Sequence, residues 1–214
     1  MLEEATRIVL IRHGETAWNR ATRIQGHTDI PLSPLGLAQA ERLAQALADE
    51  PLAALYSSDL SRARQTAEAV ARVQGLSLHL DAGLRERAFG RFEGLSWEEI
   101  DRGYPEDAAR WRKREPDFPV GGGESLIVFS GRVLAAARRA ASAHPGQSIA
   151  LVAHGGVLDC LYRAATQVAL DAPRSWQLGN ATINRLLATP EGFTLIGWND
   201  DHHLAGLSAD DIAA

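Results

Sequence analysis

Two short apolar runs, each leading into a histidine and a glycine, constrain this sequence more than any other feature. Residues 8–11 precede Arg12-His13-Gly14, and residues 149–152 precede Ala153 and then His154. A continuous apolar run of this length is typical of a strand that is covered on both faces of a sheet. The sequence therefore predicts two buried strands, each with a histidine at its carboxyl end.

Helical periodicity separates the predicted strands. Ser33 and Pro34 are typical of an N-cap and a first helical position. The apolar residues of that helix recur at the helical period before Pro51, at Leu37, Ala40, Ala44 and Leu47. Further strands are predicted over residues 53–56 and 76–80, and further helices over about 63–75, 125–143 and 156–165. This alternation indicates an α/β fold, with a mostly parallel central sheet and helices on both faces.

The last third of the chain and its middle depart from this alternation. Strands predicted over 181–188 and 193–198 flank Thr189-Pro190-Glu191-Gly192, whose Pro and Gly positions are typical of a type I turn. We therefore expect one antiparallel C-terminal hairpin at one side of the sheet, followed by a surface tail from residue 199. Residues 81–124 show only short, weak helical patterns. We interpret them as a small cap-like insertion within a single domain of residues 1–214.

The composition excludes several classes of function. A net charge of −5 offers no basic face to a nucleic acid. No apolar stretch approaches the roughly 18 residues of a membrane span, so we expect a cytoplasmic protein. No cysteine or further histidine lies at ligand spacing from His202 and His203, so we expect neither a metal nor another cofactor.

The single lysine beside 21 arginines suggests the codon bias of a GC-rich bacterium. A homodimer that forms along the exposed strand edge of the sheet is compatible with the sequence.

Charged residues and histidines follow the predicted strands at the same end of the sheet, where ligands of such folds bind: His13, Arg62, Glu86 and His154. Arg12 and the backbone N–H groups of a helix beginning near Gly155 add to this set. Guanidinium groups and a helix N-terminus suit the oxygens of a phosphoryl group. A neutral imidazole is a good nucleophile. The set predicts a site for a tetrahedral phosphoryl dianion, and a covalent phosphohistidine is one route for the transfer of that group.

Five segments resemble the motifs of the histidine phosphatase (phosphoglycerate mutase-like) superfamily: residues 12–19, 25–27, 57–67, 84–94 and 152–156. The resemblance implies that His13 is the phosphorylated nucleophile and that Glu86 acts as acid and base. It implies that Arg12, Arg62 and His154 stabilise the transferred group and that Asn19 and Gln25 contact the phosphate. The implied substrate is a small phosphomonoester.

Three features place the resemblance in the short, phosphatase-type branch of the family and not among its cofactor-dependent phosphoglycerate mutases. Phe89 stands where mutases carry a tyrosine, and Trp97 falls about where they carry a lysine. About a dozen residues separate Trp111 from Glu124, where mutases have a long insertion. A less enclosed pocket favours hydrolysis. The mutase is the alternative, and a non-catalytic binding module is a further one, although all five catalytic positions are intact.

The basic pair Arg112-Lys113 allows two interpretations. In mutases the matching pair binds the carboxylate of phosphoglycerate, whereas a solvated helix face would place the same charges in water. Trp97 and Trp111 also allow two interpretations: they pack in the core or in the cap, or they face the substrate.

Overall fold

The computed structural model describes residues 5–208, and the centre of this part of the chain is a six-stranded sheet. The strands are β1 (Thr6–Arg12), β2 (Leu52–Ser57), β3 (Leu78–Leu80), β4 (Ser148–Ala153), β5 (Ile183–Thr189) and β6 (Gly192–Asp200). Their order is β3-β2-β4-β1-β5-β6. The first four strands are parallel, and β5 is antiparallel to both β1 and β6. The predicted α/β class and the C-terminal hairpin are confirmed.

Seven α-helices lie within the described residues: α1 (Ala17–Arg20), α2 (Pro34–Ala46), α3 (Ser61–Gln74), α4 (Trp97–Gly103), α5 (Pro105–Arg112), α6 (Leu126–Ser142) and α7 (Gly155–Thr166). Helices α6 and α7 cover one face of the sheet, and α2 and α3 cover the other. Ile8 and Leu10 of β1 point to the first face, and Val9 and Ile11 point to the second. Because both faces are covered, the strand is apolar at consecutive positions.

Leu37, one of the apolar residues that recur at the helical period, does not lie on the buried face of α2. Its side chain is 48% exposed, and the buried residues of α2 are Gly36, Ala40, Leu43 and Ala44. Gly36 lies so close to the backbone carbonyl of Glu15 that a Cβ atom at this position would overlap it. The first turn of α2 thus turns its glycine towards the core, and the next residue faces solvent.

The cap segment (residues 81–124) has an apolar cluster of its own, apart from the two that flank the sheet. Its members are Phe92, Ile100, Ala108, Phe118 and Val120. Ser96 starts α4 with a capping box, in which its side chain accepts a hydrogen bond from Glu99 N and Glu99 accepts one from Ser96 N. The cap segment is therefore a small packed unit above the carboxyl ends of the strands.

The predicted C-terminal tail begins later than expected, because β6 continues through residues 199 and 200. A short turn of 3-10 helix (His202–Leu204) follows, and His203 Nε2 lies 2.9 Å from the carbonyl oxygen of Ala181. The rest of the predicted tail, residues 209–214, lies outside the described residues. Between residues 5 and 208, no helix is long and apolar enough to cross a membrane.

Candidate active site

The position of His13 is fixed by backbone contacts immediately after β1. His13 N donates a hydrogen bond to the carbonyl oxygen of Ala153 (3.0 Å), and Gly14 N donates one to Thr66 Oγ1 (3.0 Å). A Cβ atom on Gly14 would overlap the backbone of Gly36 in α2, so the close approach of this turn to the helix requires glycine. The neighbouring strand and two helices thus hold the loop that carries His13.

The hydrogen bonds of His13 fix the tautomer of its ring. Nδ1 lies 2.7 Å from the carbonyl oxygen of Gly14, which can only accept, so Nδ1 carries the proton. The side chain is 3% exposed, and burial, followed by the charges of Arg62 and Arg12, holds the pKa of His13 well below its usual value. The ring is therefore neutral at pH 7, with the lone pair of Nε2 facing the cavity.

His154 is held in the opposite tautomer. Arg62 Nε donates to His154 Nδ1 (3.2 Å), so the proton of the neutral ring is on Nε2, which donates to Ser58 Oγ (2.8 Å). Burial, followed by the charge of Arg62, holds the pKa of His154 well below its usual value. The two rings lie 5.2 Å apart between centroids. Both nitrogens of His154 are engaged by protein, in contrast to Nε2 of His13.

Two arginines, Arg62 and the partly buried Arg12, lie beside these rings. Arg62 is fully buried and donates to the carbonyl oxygens of Thr28 (3.0 Å) and Gly26 (2.7 Å); desolvation lowers its pKa to about 10. Arg12 donates through Nη1 to the carbonyl oxygen of Leu178, while its buried Nε has no hydrogen-bond partner. Burial lowers the pKa of Arg12 as well. Both guanidinium groups stay charged at pH 7, and an anion can satisfy the free nitrogen of Arg12.

Glu86 lies at the N-terminus of α7. Its Oε2 accepts a hydrogen bond from Gly156 N (3.0 Å) and its Oε1 accepts one from Arg87 N (2.8 Å). A Cβ atom on Gly156 would overlap the Glu86 carboxylate, so glycine is needed for this approach. Gly155, the first residue of α7, lines the cavity next to Arg12 Nε. The first N–H groups of a helix have no partner within the helix, which makes this end an anion site.

The amide side chains of Asn19 and Gln25 also line the cavity. Asn19 Oδ1 accepts from Thr16 N (3.0 Å), and Gln25 Oε1 lies 3.0 Å from Thr16 Oγ1. Neither Nδ2 of Asn19 nor Nε2 of Gln25 has an acceptor within the described part of the chain. Both amides therefore have their oxygens fixed by protein and their N–H donors available to a ligand.

The cavity has a volume of about 970 Å³ and extends from these residues to the cap segment. Trp97 and Trp111 line it, with ring centroids 4.3 Å apart, so these two residues both pack together and face the cavity. Arg112 also lines it and is ion-paired with Asp101. Lys113 is exposed and is not part of the lining. The structure thus separates the two members of the predicted basic pair.

Sequence reasoning missed three residues of this region: Ser58, Arg87 and Arg174. Ser58 is buried and fixes His154, and Arg87 is 4% exposed, lines the cavity and donates to the carbonyl oxygens of the cap segment. Arg174 lines the cavity from the α7–β5 loop (residues 167–182). Connections longer than about 12–15 residues without secondary structure are often functional, which was a usable signal for this loop.

No group of histidine, cysteine, aspartate or glutamate side chains that could hold a metal ion occurs in residues 5–208. Cys160 lines the cavity from α7, where burial raises its pKa to about 12. The floor of the cavity is formed by Arg12, His13, Arg62, Glu86 and His154. The donors that face it are guanidinium groups, amide N–H groups and a helix N-terminus. They can hold the oxygens of a phosphoryl group beside a neutral imidazole.

Comparisons with known proteins agree with this geometry. The model of the histidine phosphatase superfamily (branch 1) matches residues 8–201. A metal-independent phosphoserine phosphatase of Arabidopsis thaliana is 36% identical over 95% of this chain and 85% of its own. A probable phosphoglycerate mutase of Yersinia pestis is 34% identical over 89% of each.

Among solved structures, a mycobacterial glucosyl-3-phosphoglycerate phosphatase is similar, with a TM-score of 0.82 and 30% identity over 91% of this chain and 99% of its own. The family match and these relatives cover nearly the whole described chain. The chain belongs to the histidine phosphatase superfamily, whose members act through a phosphohistidine intermediate, and it is a phosphatase of that superfamily.

Proposed function

We propose that the protein hydrolyses small phosphomonoesters without a metal ion, and that His13 is the residue that becomes phosphorylated. The observation that carries this assignment is the difference between the two histidines. His13 presents an unprotonated Nε2 to the cavity, whereas both nitrogens of His154 are bound by Arg62 and Ser58.

In the first step, His13 Nε2 attacks the phosphorus atom and the bond to the leaving oxygen breaks. Arg12, Arg62, Asn19 Nδ2 and the N–H of Gly155 hold the phosphoryl oxygens, with Gln25 as a further donor at the side of the cavity. Protonated Glu86 gives its proton to the leaving oxygen, so the products are an alcohol and phosphohistidine.

In the second step, water attacks the phosphohistidine. The Glu86 carboxylate, fixed by two backbone N–H groups, accepts a proton from this water. The nitrogen–phosphorus bond breaks, inorganic phosphate leaves and His13 is neutral again. His154 holds Arg62 in place through Nδ1 and thereby supports the charge that develops on the phosphoryl oxygens.

The cap segment is proposed to select substrates within a single domain that spans the chain. The Arabidopsis and mycobacterial relatives are named for phosphoserine and glucosyl-3-phosphoglycerate, and we take small metabolites of this kind as the substrate class. Arg112 would contact such a substrate from the rim of the cavity. Lys113 lies outside the cavity lining, so we expect no contact between Lys113 and the substrate. We further propose a bacterial, cytoplasmic protein, in keeping with the arginine-rich composition.

The experiment is an assay of phosphate release from a panel of phosphomonoesters with excess chelator. We expect full activity, since the donors around the phosphoryl site are side chains and backbone groups. Loss of activity on chelation that a divalent metal restores would contradict the proposal.

A mutase is the second candidate, because one relative is named a probable phosphoglycerate mutase. Interconversion of 2- and 3-phosphoglycerate in the presence of 2,3-bisphosphoglycerate should be much slower than hydrolysis. Phe89 supplies no hydroxyl group, and the large cavity admits water to the phosphohistidine. If mutase turnover exceeded phosphatase turnover, the protein would be a phosphoglycerate mutase.

A further inference from the structure

The cavity carries more positive charge than one phosphoryl group requires. Seven arginines line it, while the carboxylates among its lining residues are Glu86 and Asp159. Asp159 Oδ2 already accepts hydrogen bonds from Arg114 (2.9 Å) and Arg163 (3.0 Å). Like charges gathered in one cavity favour a ligand of opposite charge. The excess indicates a substrate with an anionic group in addition to its phosphoryl group.

Most of the arginines outside the floor of the cavity are engaged by protein. Three pair with carboxylates: Arg23 with Glu99, Arg112 with Asp101, and Arg114 with Asp159. Arg87 is buried and donates to the carbonyl oxygens of Glu124 (2.8 Å) and Phe118 (3.0 Å). A substrate anion would compete with these partners for the same guanidinium groups.

Arg174 is different. It is exposed, it lines the cavity, and it has no acceptor anywhere in residues 5–208. Its charge lowers the pKa of Arg12, as expected when two cations face the same space. Arg174 therefore presents an unneutralised guanidinium group to the cavity that holds the phosphoryl site.

The loop that carries Arg174 is anchored just after it. Trp176 stacks on Tyr162 of α7 with ring centroids 4.0 Å apart, and Trp198 Nε1 donates to the carbonyl oxygen of Gln177 (2.8 Å). The next residue, Leu178, accepts a hydrogen bond from Arg12. Arg174 is thus attached to a stretch of backbone that is held against both α7 and the phosphoryl site.

We propose that Arg174 binds a second anionic group of the substrate, a carboxylate, and so makes carboxylate-bearing phosphomonoesters the preferred substrates. A carboxylate matches one guanidinium group in charge and in its paired oxygens, whereas the dianionic phosphoryl group at the floor is faced by two arginines. The carboxylate site therefore lies on the α7–β5 loop, and Arg112 of α5, already paired with Asp101, is not its main cation. This inference rests on the proposed phosphatase function.

The test compares substrates that share a skeleton and differ in one group. 3-Phosphoglycerate and glycerol 3-phosphate differ by a carboxylate in place of a hydroxymethyl group. A series of phosphorylated ω-hydroxy acids of increasing chain length, each with its diol analogue, extends the comparison over distance. kcat/KM for phosphate release is measured for the full-length wild type, R174Q and R112Q. The matched control is R42Q, since Arg42 is exposed on α2, has no acceptor and lies outside the cavity lining.

We expect the wild type to favour at least one carboxylate over its neutral analogue by roughly 10-fold, the range of a hydrogen-bonded pair with a charged partner. R174Q should lose this preference, measured as the ratio of kcat/KM for each acid to that for its neutral analogue in the same variant, so that a general effect of the lost charge on phosphate binding cancels. R42Q should keep the preference.

Three results would overturn the inference: no carboxylate preference in the wild type, a preference that persists in R174Q, or one that R112Q alone removes. In all three, p-nitrophenyl phosphate is still hydrolysed. Failure of the proposed function is distinguishable, because then neither this ester nor any other releases phosphate.

Discussion

The floor of the cavity and its wall are built in different ways. The floor comprises Arg12, His13, Arg62, Glu86 and His154, which are held by hydrogen bonds to backbone groups or to one another. The wall comes from the cap segment, where the exposed Arg112 pairs with Asp101, and from the α7–β5 loop, where the exposed Arg174 has no acceptor in the described residues. Groups that are held by hydrogen bonds inside the protein keep one geometry, whereas exposed ion pairs contribute little to stability. The difference assigns catalysis to the floor and substrate selection to the wall.

Replacing the nucleophile should give the largest effect. H13A should lower turnover on the order of 10⁴-fold or more, as expected when a catalytic nucleophile is removed. It should also abolish the base-stable, acid-labile phosphoryl label that forms with substrate. Acid-quenched labelling measures this directly, with H79A as control because His79 is exposed on β3 outside the cavity. A label that persists in H13A and disappears in H154A would reverse the assignment of the two histidines.

The next prediction separates proton donation by Glu86 from a role in shaping the floor. E86Q should slow phosphohistidine formation from an alkyl phosphate by roughly 10²–10⁴-fold, the usual contribution of a general acid. Formation from p-nitrophenyl phosphate should slow much less, because nitrophenolate leaves without a proton. Rapid-quench measurement of the transfer step is needed, since hydrolysis of the intermediate also uses Glu86. Equal losses on both esters would mean that Glu86 only shapes the site.

Two glycine-to-alanine substitutions add the same Cβ atom in two places, one beside the floor of the cavity and one in the cap segment. In G156A the new Cβ overlaps the Glu86 carboxylate and contacts Phe129, so we expect at least roughly a 10-fold loss of alkyl phosphatase activity from the displaced acid. In G103A, at the end of α4 in the cap segment, the Cβ meets nothing within 4 Å, and activity should stay unchanged. Equal activity of the two variants would show that the floor adapts as readily as the wall.

The pH dependence of stability should give the smallest effect. His13 is neutral when folded and its pKa lies well below that of the unfolded chain, near 6.5. Above pH 6.5 its contribution is fully present. As the pH falls towards the folded pKa, the unfolded chain binds the proton first, so stability drops by up to about 1.4 kcal/mol per pH unit.

Urea unfolding at pH 7.5 and 5.0 measures this loss, which should be smaller in H13Q than in the wild type. His202 is the contrasting case, because its hydrogen bond to Asp200 raises its pKa. Its contribution is therefore present below pH 6.5 and is lost as the pH rises, so H202Q should not reduce the acid loss. An unchanged acid loss in H13Q would contradict the buried neutral state of His13.

The sequence alone was sufficient for the strands and for the residues at their ends. The apolar run before His13 requires a strand covered on both faces, and a parallel sheet brings its carboxyl ends to one side. These arguments need only short stretches of chain. Leu37 shows their limit, because the close approach of Gly36 to Glu15 puts the glycine on the buried side of α2 and leaves the apolar Leu37 exposed.

The composition of the site could be predicted from the sequence, but its protonation and its wall could not. The tautomer of His154 depends on Ser58, 96 residues away, and the attachment of the α7–β5 loop depends on a contact between Arg12 and Leu178, 166 residues apart. Whether an arginine is paired, like Arg112, or free, like Arg174, also depends on which acceptors folding brings near.

Local sequence therefore determined the strands and the catalytic residue types, because periodicity and motif spacing are local properties. The tertiary structure alone decided which nitrogen is free to react and which cation is free to bind, because hydrogen-bond partners are set by contacts between distant parts of the chain.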